Sequence, residues 1–581
     1  MRCKSIHFFF VFIILWIWLM IKFMWSSKTS SQLDNSPEFS EDLLKQLEEA
    51  QKQIERLTDD NIRLTNIVKD YQIKEGGDSF HPVKDKLKES HDSSSSSETL
   101  DGPSTAYENT RRRIKHDVRE MWNFINVKLK FFEHRLKSQN EELSSKLKET
   151  REVFFSFYNA VLIDMDTLAE VDGHAAWRLQ ESKNLSLHVQ SRLTALQNPS
   201  DCKNARKLLC NLNKGCGYGC QIHHVVYCFV SAIGAGRALV LKSKGWRYNR
   251  AGFENVFKPL SETCQRIPEV LQGELPLSRS SWPGKEDTVN VDIPIVDSVN
   301  PRPKHLPPSI PKEIASRIIR LHGDPIVWWI SEVLRYILRP QEDLQVLLNS
   351  TEEDKLPRDK SPYVGIHVRR TDKVGTEAAF HPVEEYMEYV EERFKYLDAS
   401  LGSNVERRVY VASDDPRVLV ECRKKFPHYS FYGDATVARS AAVSSRYSSD
   451  SLKGVITDIH LLSKADYLVC TFSSQVCRIA YEILQNRFPD GHDRFKSLDD
   501  IWYFGGQDEH QQEVIIYHGP KTRDEIELKV GDVIGVAGNH WDGFNKGKNL
   551  RNRRVGLYPE YKTKEKFRIV EFRGLRGSEQ S

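Results

Sequence analysis

From Ser361 onward this chain alternates short apolar strands with amphipathic helices, and that alternation restricts its fold more than any other feature. Strands are expected at residues 363–368, 408–412, 429–432 and 467–470, and helices at 383–397, 416–425, 453–464 and 475–484. Parallel strands need a crossover between them, usually a helix, so the pattern specifies a parallel sheet wound in the Rossmann manner. Such open sheets bind ligands beyond the carboxyl ends of their strands. The segment contains no G-x-G-x-x-G, so it lacks the signature of a nicotinamide site.

The loop after the first of these strands is the richest in chemistry. It carries Arg369, Arg370, Asp372, Lys373 and Glu377. His381-Pro382 then opens a helix whose apolar face is Tyr386, Met387, Val390, Phe394 and Leu397. Three cations suit a phosphate-bearing ligand, Arg as a planar fork and Lys as a point charge. Arg369 is the first candidate for a diphosphate, supported by Lys373 and Arg370. Glu377 lies four residues after Lys373 and can serve as a base towards an acceptor. A bare Arg-Arg pair also suits an ordinary solvated loop, so other segments must add to the argument. Thr471-Phe-Ser-Ser-Gln475 stands between a strand and a helix, where Ser473, Ser474 and Gln475 can hold a phosphate at the helix N-terminus. A simple N-cap is the plain alternative. Gly217 and Gly219, between Cys216 and Cys220, allow close backbone approach. Asp414-Asp415 looks like a metal-binding acidic pair, but before Pro416 it also makes a good helix start.

Residues 6–25 are almost wholly apolar and follow Arg2 and Lys4, which predicts a membrane-spanning helix with its N-terminus cytosolic. The span is long and bulky, and no small-residue site follows for cleavage as a signal peptide. Everything after Ser26 is then expected in the secretory lumen. Leu43, Leu47, Ala50, Ile54, Leu57, Asn61, Leu64, Val68 and Tyr71 form a heptad seam, with Asn61 at a register-setting position of a dimeric stem. Gly76-Gly77 and the serine run 93–97 cannot build a core and mark a linker. Residues 111–168 read as one or two long helices. Of the ten cysteines, Cys3 is cytosolic on this reading and Cys422 sits in a helical apolar pattern that predicts a buried free thiol. The remaining eight can pair in an oxidising lumen, although spacing does not select their connectivity. Zinc competes at Cys216-Gly-Tyr-Gly-Cys220, where no matching Cys/His pair accompanies it. Asn184 and Asn349 begin N-glycosylation sequons. A formal charge of +3 gives no reason to expect nucleic acid. Pro308-Ser-Ile-Pro311 reads as an extended linker or a ligand for an SH3 module. Residues 513–572 resemble an SH3 barrel, but Ile515-Ile-Tyr-His518 and Pro559-Glu-Tyr561 replace the usual groove motifs, which puts proline-rich binding in doubt.

Taken together, the Arg369 loop, the Thr471–Gln475 turn, the Cys216–Cys220 loop and the barrel resemble the α-1,6-fucosyltransferases that add core fucose to N-glycans, from about Ala106 to the C-terminus. The resemblance implies a GT-B-like α/β catalytic region, with a membrane anchor and coiled-coil stem before it and an all-β SH3-like domain after it. The corresponding map is a cytosolic tail at 1–5, an anchor at 6–25, a coiled-coil stem at 26–74, a disordered linker at 75–105 and a helical stem or dimer region at 106–172. An N-terminal catalytic subdomain follows at 173–360, a Rossmann-like GDP-fucose subdomain at 361–506 and the SH3-like domain at 507–581. It further implies GDP-fucose as donor substrate, no metal or other cofactor, an N-glycan acceptor, a homodimer and a single-pass type II placement in the Golgi. By resemblance Asp458 and His367 take the guanine, and Tyr248 is a further nucleotide contact. Asp414 and Asp415 contact the donor if they have a role there. Lys214, Asp499, Asp500 and His540 meet the acceptor. The implied disulfides are Cys202–Cys264, Cys210–Cys228, Cys216–Cys220 and Cys470–Cys477. The competing class is a membrane-tethered coiled-coil and SH3 scaffold, which leaves residues 361–505 unexplained; the rival enzyme is a protein O-fucosyltransferase.

Overall fold

The computed structural model describes residues 102–266, 278–356, 362–371, 374–375, 378–442, 445–504 and 509–576. The anchor and heptad expected at 6–74, and the linker up to residue 101, lie outside the described residues. Among the described residues no helix is long and apolar enough to cross a membrane. These residues fall into two compact units, 131–150 and 102–130 with 151–576. Within the first, Asn140 accepts the Leu143 N–H at 2.9 Å, and the Ser144 hydroxyl reaches the Glu133 carbonyl at 3.1 Å, which shapes a tight helix–helix turn. That turn divides the helical stretch expected at 111–168 into α1 (Thr105–Leu136) and α2 (Glu141–Val171). A third helix, α3 (Ala175–Gln197), follows.

The second unit contains two parallel sheets. In the first, β1 (Lys207–Asn211) leads into α4 (Tyr218–Ala235) and β2 (Ala238–Lys242), followed by β3 (Arg279–Ser281) and β4 (Asn290–Ile293). The order is β2-β1-β4-β3, all parallel. Leu208 and Cys210 on β1 are fully buried, and α4 is buried along nearly its whole length, as a sheet covered on both faces requires. A short strand, β5 (Ser309–Pro311), precedes α5 (Pro325–Ile337). The Asp324 side chain caps α5 by accepting from Ile326 and Val327, both at 3.1 Å, with Pro325 at its first position.

The second sheet is built by β6 (Val364–Val368), α6 (Val383–Leu401), β7 (Arg408–Ser413), α7 (Arg417–Lys425), β8 (Ser430–Tyr432), α8 (Ala435–Ser440), α9 (Ser449–Ser463), β9 (Tyr467–Cys470), α10 (Gln475–Leu484) and β10 (Phe495–Ser497). Its order is β10-β9-β6-β7-β8, all parallel, which is doubly wound. Each strand and helix expected from the alternation is present, and α8 and β10 are additions. Alternation along the strands divides the side chains. Val364, Ile366, Val368, Val409 and Val411 pack with α6 and α7 in one cluster, whereas Tyr410, Ala412 and Leu468 join the larger core that contains β1, α4 and α5. Cys422 lies on α7, fully buried and unbonded.

The C-terminal strands are β11 (Gln511–Val514), β12 (Val533–Asn539), β13 (Phe544–Asn549), β14 (Val555–Pro559) and β15 (Thr563–Lys566), in an antiparallel sheet of order β14-β13-β12-β11-β15. A last strand, β16 (Arg568–Val570), leaves the barrel and pairs in parallel with β5. This corrects both readings of Pro308-Ser-Ile-Pro311. The segment is neither a free linker nor a polyproline ligand but a buried strand, because its backbone pairs with the chain's own tail. Phe572 then plugs fully into the body against His305 and Trp329, at ring separations of 5.0 and 5.5 Å.

Candidate active site

The winding of the second sheet reverses between β6 and β9, since the chain moves outward through β7 and β8 and then returns to the other side of β6. Loops leaving the carboxyl ends of two such strands diverge and open a crevice. The Arg369 loop leaves β6 and the Thr471–Gln475 turn leaves β9, so the two loops singled out in the sequence flank this switch point. Lys373, Glu377 and Asp372 lie outside the described residues. On the described part of the loop, Gly375 at φ 81° turns the backbone so that its N–H reaches the Ala378 carbonyl at 3.0 Å.

Asp414, at the end of β7, is the anchor of that loop. Its carboxylate pairs with the Arg369 guanidinium at 2.9 Å and accepts the backbone N–H groups of Arg370 (2.8 Å) and Thr371 (3.2 Å), together with the Thr371 hydroxyl. Asp415 accepts from the Arg417 backbone at 3.0 Å and pairs with its guanidinium at 2.8 Å, as a helix-start residue does. Both carboxylates are thus spent on protein groups. Arg370 turns towards Glu421 at 2.5 Å and lies over Phe380 at 5.1 Å.

At the ends of β6 and β9, His367 Nδ1 and Thr471 Oγ1 are buried polar atoms without a hydrogen-bond partner among the described residues. Such orphans are costly unless a ligand completes them. Burial pushes the His367 imidazole down to about 4, so it is neutral at ordinary pH. Asp458, on α9, is also buried, and burial lifts its carboxyl to about 7 although it accepts the Tyr410 hydroxyl at 2.7 Å. The Tyr410 partnership is not legible in the sequence, because 48 residues separate the two.

The first sheet supplies the opposite wall. Gly217 and Gly219 sit at the N-terminus of α4, and the cap residue Gly217 has no side chain to cap that end. A Cβ on Gly219 would lie 2.9 Å from the Gln475 Cβ, so the start of α4 abuts the start of α10, whose own first turn also lacks a side-chain cap. Two helix N-termini side by side, neither capped by its own N-cap residue, bring backbone N–H groups and partial positive charge together, an arrangement that suits an anion. The Tyr248 hydroxyl accepts the Tyr218 N–H at 2.9 Å, and its ring meets Tyr447 edge-on at 5.2 Å. Burial raises the Tyr248 phenol, and the Arg369 guanidinium is near enough to oppose that. Tyr447, under Arg247 at 5.3 Å, is a wall residue that the sequence did not reveal. Cys216 and Cys220 are joined by a disulfide that closes the loop before α4, so the pair is not a zinc site. Cys470–Cys477 brackets the Thr471–Gln475 turn, and Cys202–Cys264 and Cys210–Cys228 complete the set. His224 beside Cys210 and Cys228 imitates a metal cluster, but both thiols are consumed by their disulfide.

Of the residues assigned to an acceptor, Lys214 pairs with Asp297 at 2.9 Å. Asp500 lies beside Gly538 of the barrel, and burial lifts its carboxyl to about 6. His540 is exposed on the barrel loop. Asp499 is engaged differently. Its carboxylate accepts from the Ser497 hydroxyl (3.0 Å) and from the backbone N–H of Ser473 (3.4 Å), and its carbonyl accepts the Trp541 indole N–H at 2.9 Å. It therefore braces the turn after β9 from the barrel side.

A family model for alpha-(1,6)-fucosyltransferase N- and catalytic domains matches residues 1–503, and a variant SH3 domain model matches residues 514–564. An alpha-(1,6)-fucosyltransferase of Drosophila melanogaster is 50% identical over 466 residues, covering 80% of this chain and 74% of its own. One of Caenorhabditis elegans is 39% identical over 472 residues, covering 80% of each chain. The crystal structure of NodZ alpha-1,6-fucosyltransferase soaked with GDP-fucose is 14% identical and covers 48% of this chain and 92% of that one; its TM-score of 0.29 is too low to support any inference. The family match over residues 1–503 and the two relatives that align with four-fifths of the chain place this enzyme in the α-(1,6)-fucosyltransferase family.

Proposed function

We propose that the enzyme takes fucose from GDP-fucose and attaches it to O6 of the innermost, Asn-linked GlcNAc of N-glycans, with inversion at the anomeric carbon. The observation that carries this reading is the meeting of two helix N-termini, at Gly217–Gly219 and Ser474–Gln475, the second of them following β9, the strand paired with the β6 that leads into the Arg369 loop. Backbone donors and cations aimed at one place are what a departing nucleoside diphosphate requires. Arg369, with Lys373 and Arg370 in support, stabilises the charge that develops there. Ser473, Ser474, Gln475 and the two glycines hold the phosphates. Asp458 and His367, with Tyr248 near the mouth, take the nucleotide, the ionised carboxylate accepting from guanine N1–H and its amino group. Glu377 removes the proton from O6 as the hydroxyl attacks from the face opposite GDP. General-base help of this kind is typically worth about 10²–10⁴ in rate.

Lys214, Asp500 and His540 line the acceptor side, and Asp499 acts through the turn it braces. No divalent ion is assigned, because Asp414 and Asp415 are committed to Arg369, Thr371 and Arg417 and cation chemistry is available from arginine. The two parallel sheets that meet at the crevice support the GT-B-like reading. The apolar segment 6–25 supports a type II Golgi placement, and the heptad at 43–71 supports a homodimer. The deciding experiment incubates purified residues 106–581 with GDP-fucose and a biantennary N-glycan bearing terminal GlcNAc, with and without EDTA. The reading expects α-1,6-linked product in both; loss with EDTA that Mn²⁺ restores would reopen the metal question.

A further inference from the structure

On α4, His223 stands between the two walls of the crevice. Its Nδ1 faces Gln475 Oε1 at 2.9 Å, and its Nε2 faces the Glu482 carboxylate at 3.0 Å. Glu482 lies on α10 with no solvent exposure, and its Oε1 also accepts the Trp502 indole N–H at 2.9 Å. The Phe504 ring closes edge-on against the imidazole at 5.6 Å. The Gln475 amide turns its oxygen, not its nitrogen, to the ring. A buried carboxylate with two fixed donors leaves the imidazole one orientation.

The consequence falls on Gln475. A carboxamide has one acceptor end and one donor end. With its oxygen held by His223, its NH₂ is the end left for the crevice, and an NH₂ suits an anionic diphosphate where a carbonyl oxygen would repel it. Gln475 is also the first residue of α10, beside the uncapped helix N-terminus. We propose that His223 is a positioning residue for the sugar donor: from α4 it orients the Gln475 amide of α10 towards the diphosphate, while Glu482 and Trp502 hold the ring. The contact joins residues 252 positions apart, so it also fixes the two walls of the crevice to each other. This rests on the reading of the Thr471–Gln475 turn as the diphosphate site.

The test is a double-mutant cycle read by calorimetry with GDP, and by KM for GDP-fucose and for glycan separately. His223→Phe keeps ring volume and deletes both hydrogen bonds; Gln475→Ala removes the group it orients. His223→Phe is expected to weaken GDP binding about fivefold, the value of one lost hydrogen bond. It should raise the GDP-fucose KM with little change in the glycan KM. The double variant should bind GDP no more weakly than Gln475→Ala alone, since His223 acts only through that amide. Additive losses, or unchanged GDP affinity in His223→Phe, would overturn the proposal. If His223→Phe does not fold, His223→Gln enters the same cycle, retaining one amide donor towards Gln475. Arg369→Ala is the control for the underlying reading. Unchanged GDP affinity in both Arg369→Ala and Gln475→Ala would sink the diphosphate assignment itself. Losses there without one in His223→Phe would sink only the positioning role.

Discussion

Asp458 and His367 show how one environment sets two side chains to complementary states. Burial makes the imidazole neutral and makes the carboxyl reluctant to ionise. For Asp458 the folded pKa is raised, so its contribution favours the folded state at pH below about 4 and is lost as pH rises through about 7. Asp458→Asn is therefore expected to flatten part of the decline in stability between pH 4 and 7, by an amount on the order of a few kcal/mol. The same variant should lose GDP affinity most at pH 8, where the native carboxylate is ionised, and least near pH 5. Urea midpoints and GDP titrations across that range check both, and a wild-type GDP affinity that does not vary with pH would remove Asp458 from the guanine pocket. At Glu377 the expectation concerns chemistry alone. Glu377→Gln keeps volume and deletes basicity, so turnover should fall by about 10²-fold or more while GDP still binds. Near-normal turnover would rule out this base.

At the scale of elements, the switch point turns two short loops and two helix ends into one crevice. Gly219 is where this architecture has least tolerance, because a Cβ there meets both the side chain and backbone of Gln475. Gly219→Ala should push α4 and α10 apart by a few tenths of an ångström. The expected result is a roughly tenfold or greater rise in GDP dissociation constant, since displacements of about 1 Å cost on the order of a hundredfold in aligned sites. Folding should survive, as the contact lies at a helix end; wild-type GDP affinity in a folded Gly219→Ala would show that the two helix ends are not read by one ligand. The Trp541–Asp499–Ser473 contacts tie the barrel to the same turn, so this SH3 domain is part of the site's frame.

Considered whole, the larger unit closes on itself. The chain passes through the barrel and returns as β16 to pair with β5, and Phe572 fills a pocket lined by His305 and Trp329. The Phe572 backbone N–H also donates to Glu313 at 3.1 Å. Phe572→Ala is expected to cost about 3–5 kcal/mol, as for other fully buried phenylalanines, and to lower the melting temperature before it alters any kinetic constant. A melting curve superimposable on wild type would mean that the tail is not a stabilising element. Truncation after residue 507 should be more damaging, because it removes β16 and exposes the partners of Phe572.

By itself the sequence determined what depends on near neighbours. Strand and helix alternation, the helix face from Tyr386 to Leu397 and the buried Cys422 all follow from short-range periodicity, and each appears where that periodicity puts it. Family membership was legible for the same reason, since its motifs are contiguous strings. Only the tertiary structure decided partners. Asp414 and Asp499 are braces because groups distant in sequence reach their carboxylates first, and Pro308-Ser-Ile-Pro311 is a strand because the far end of the chain pairs with it. His223 drew no notice in the sequence because its meaning lies on another helix. Burial shifts and hydrogen-bond partners are long-range properties, set by which surfaces meet when the sheets close, and a one-dimensional pattern does not contain them.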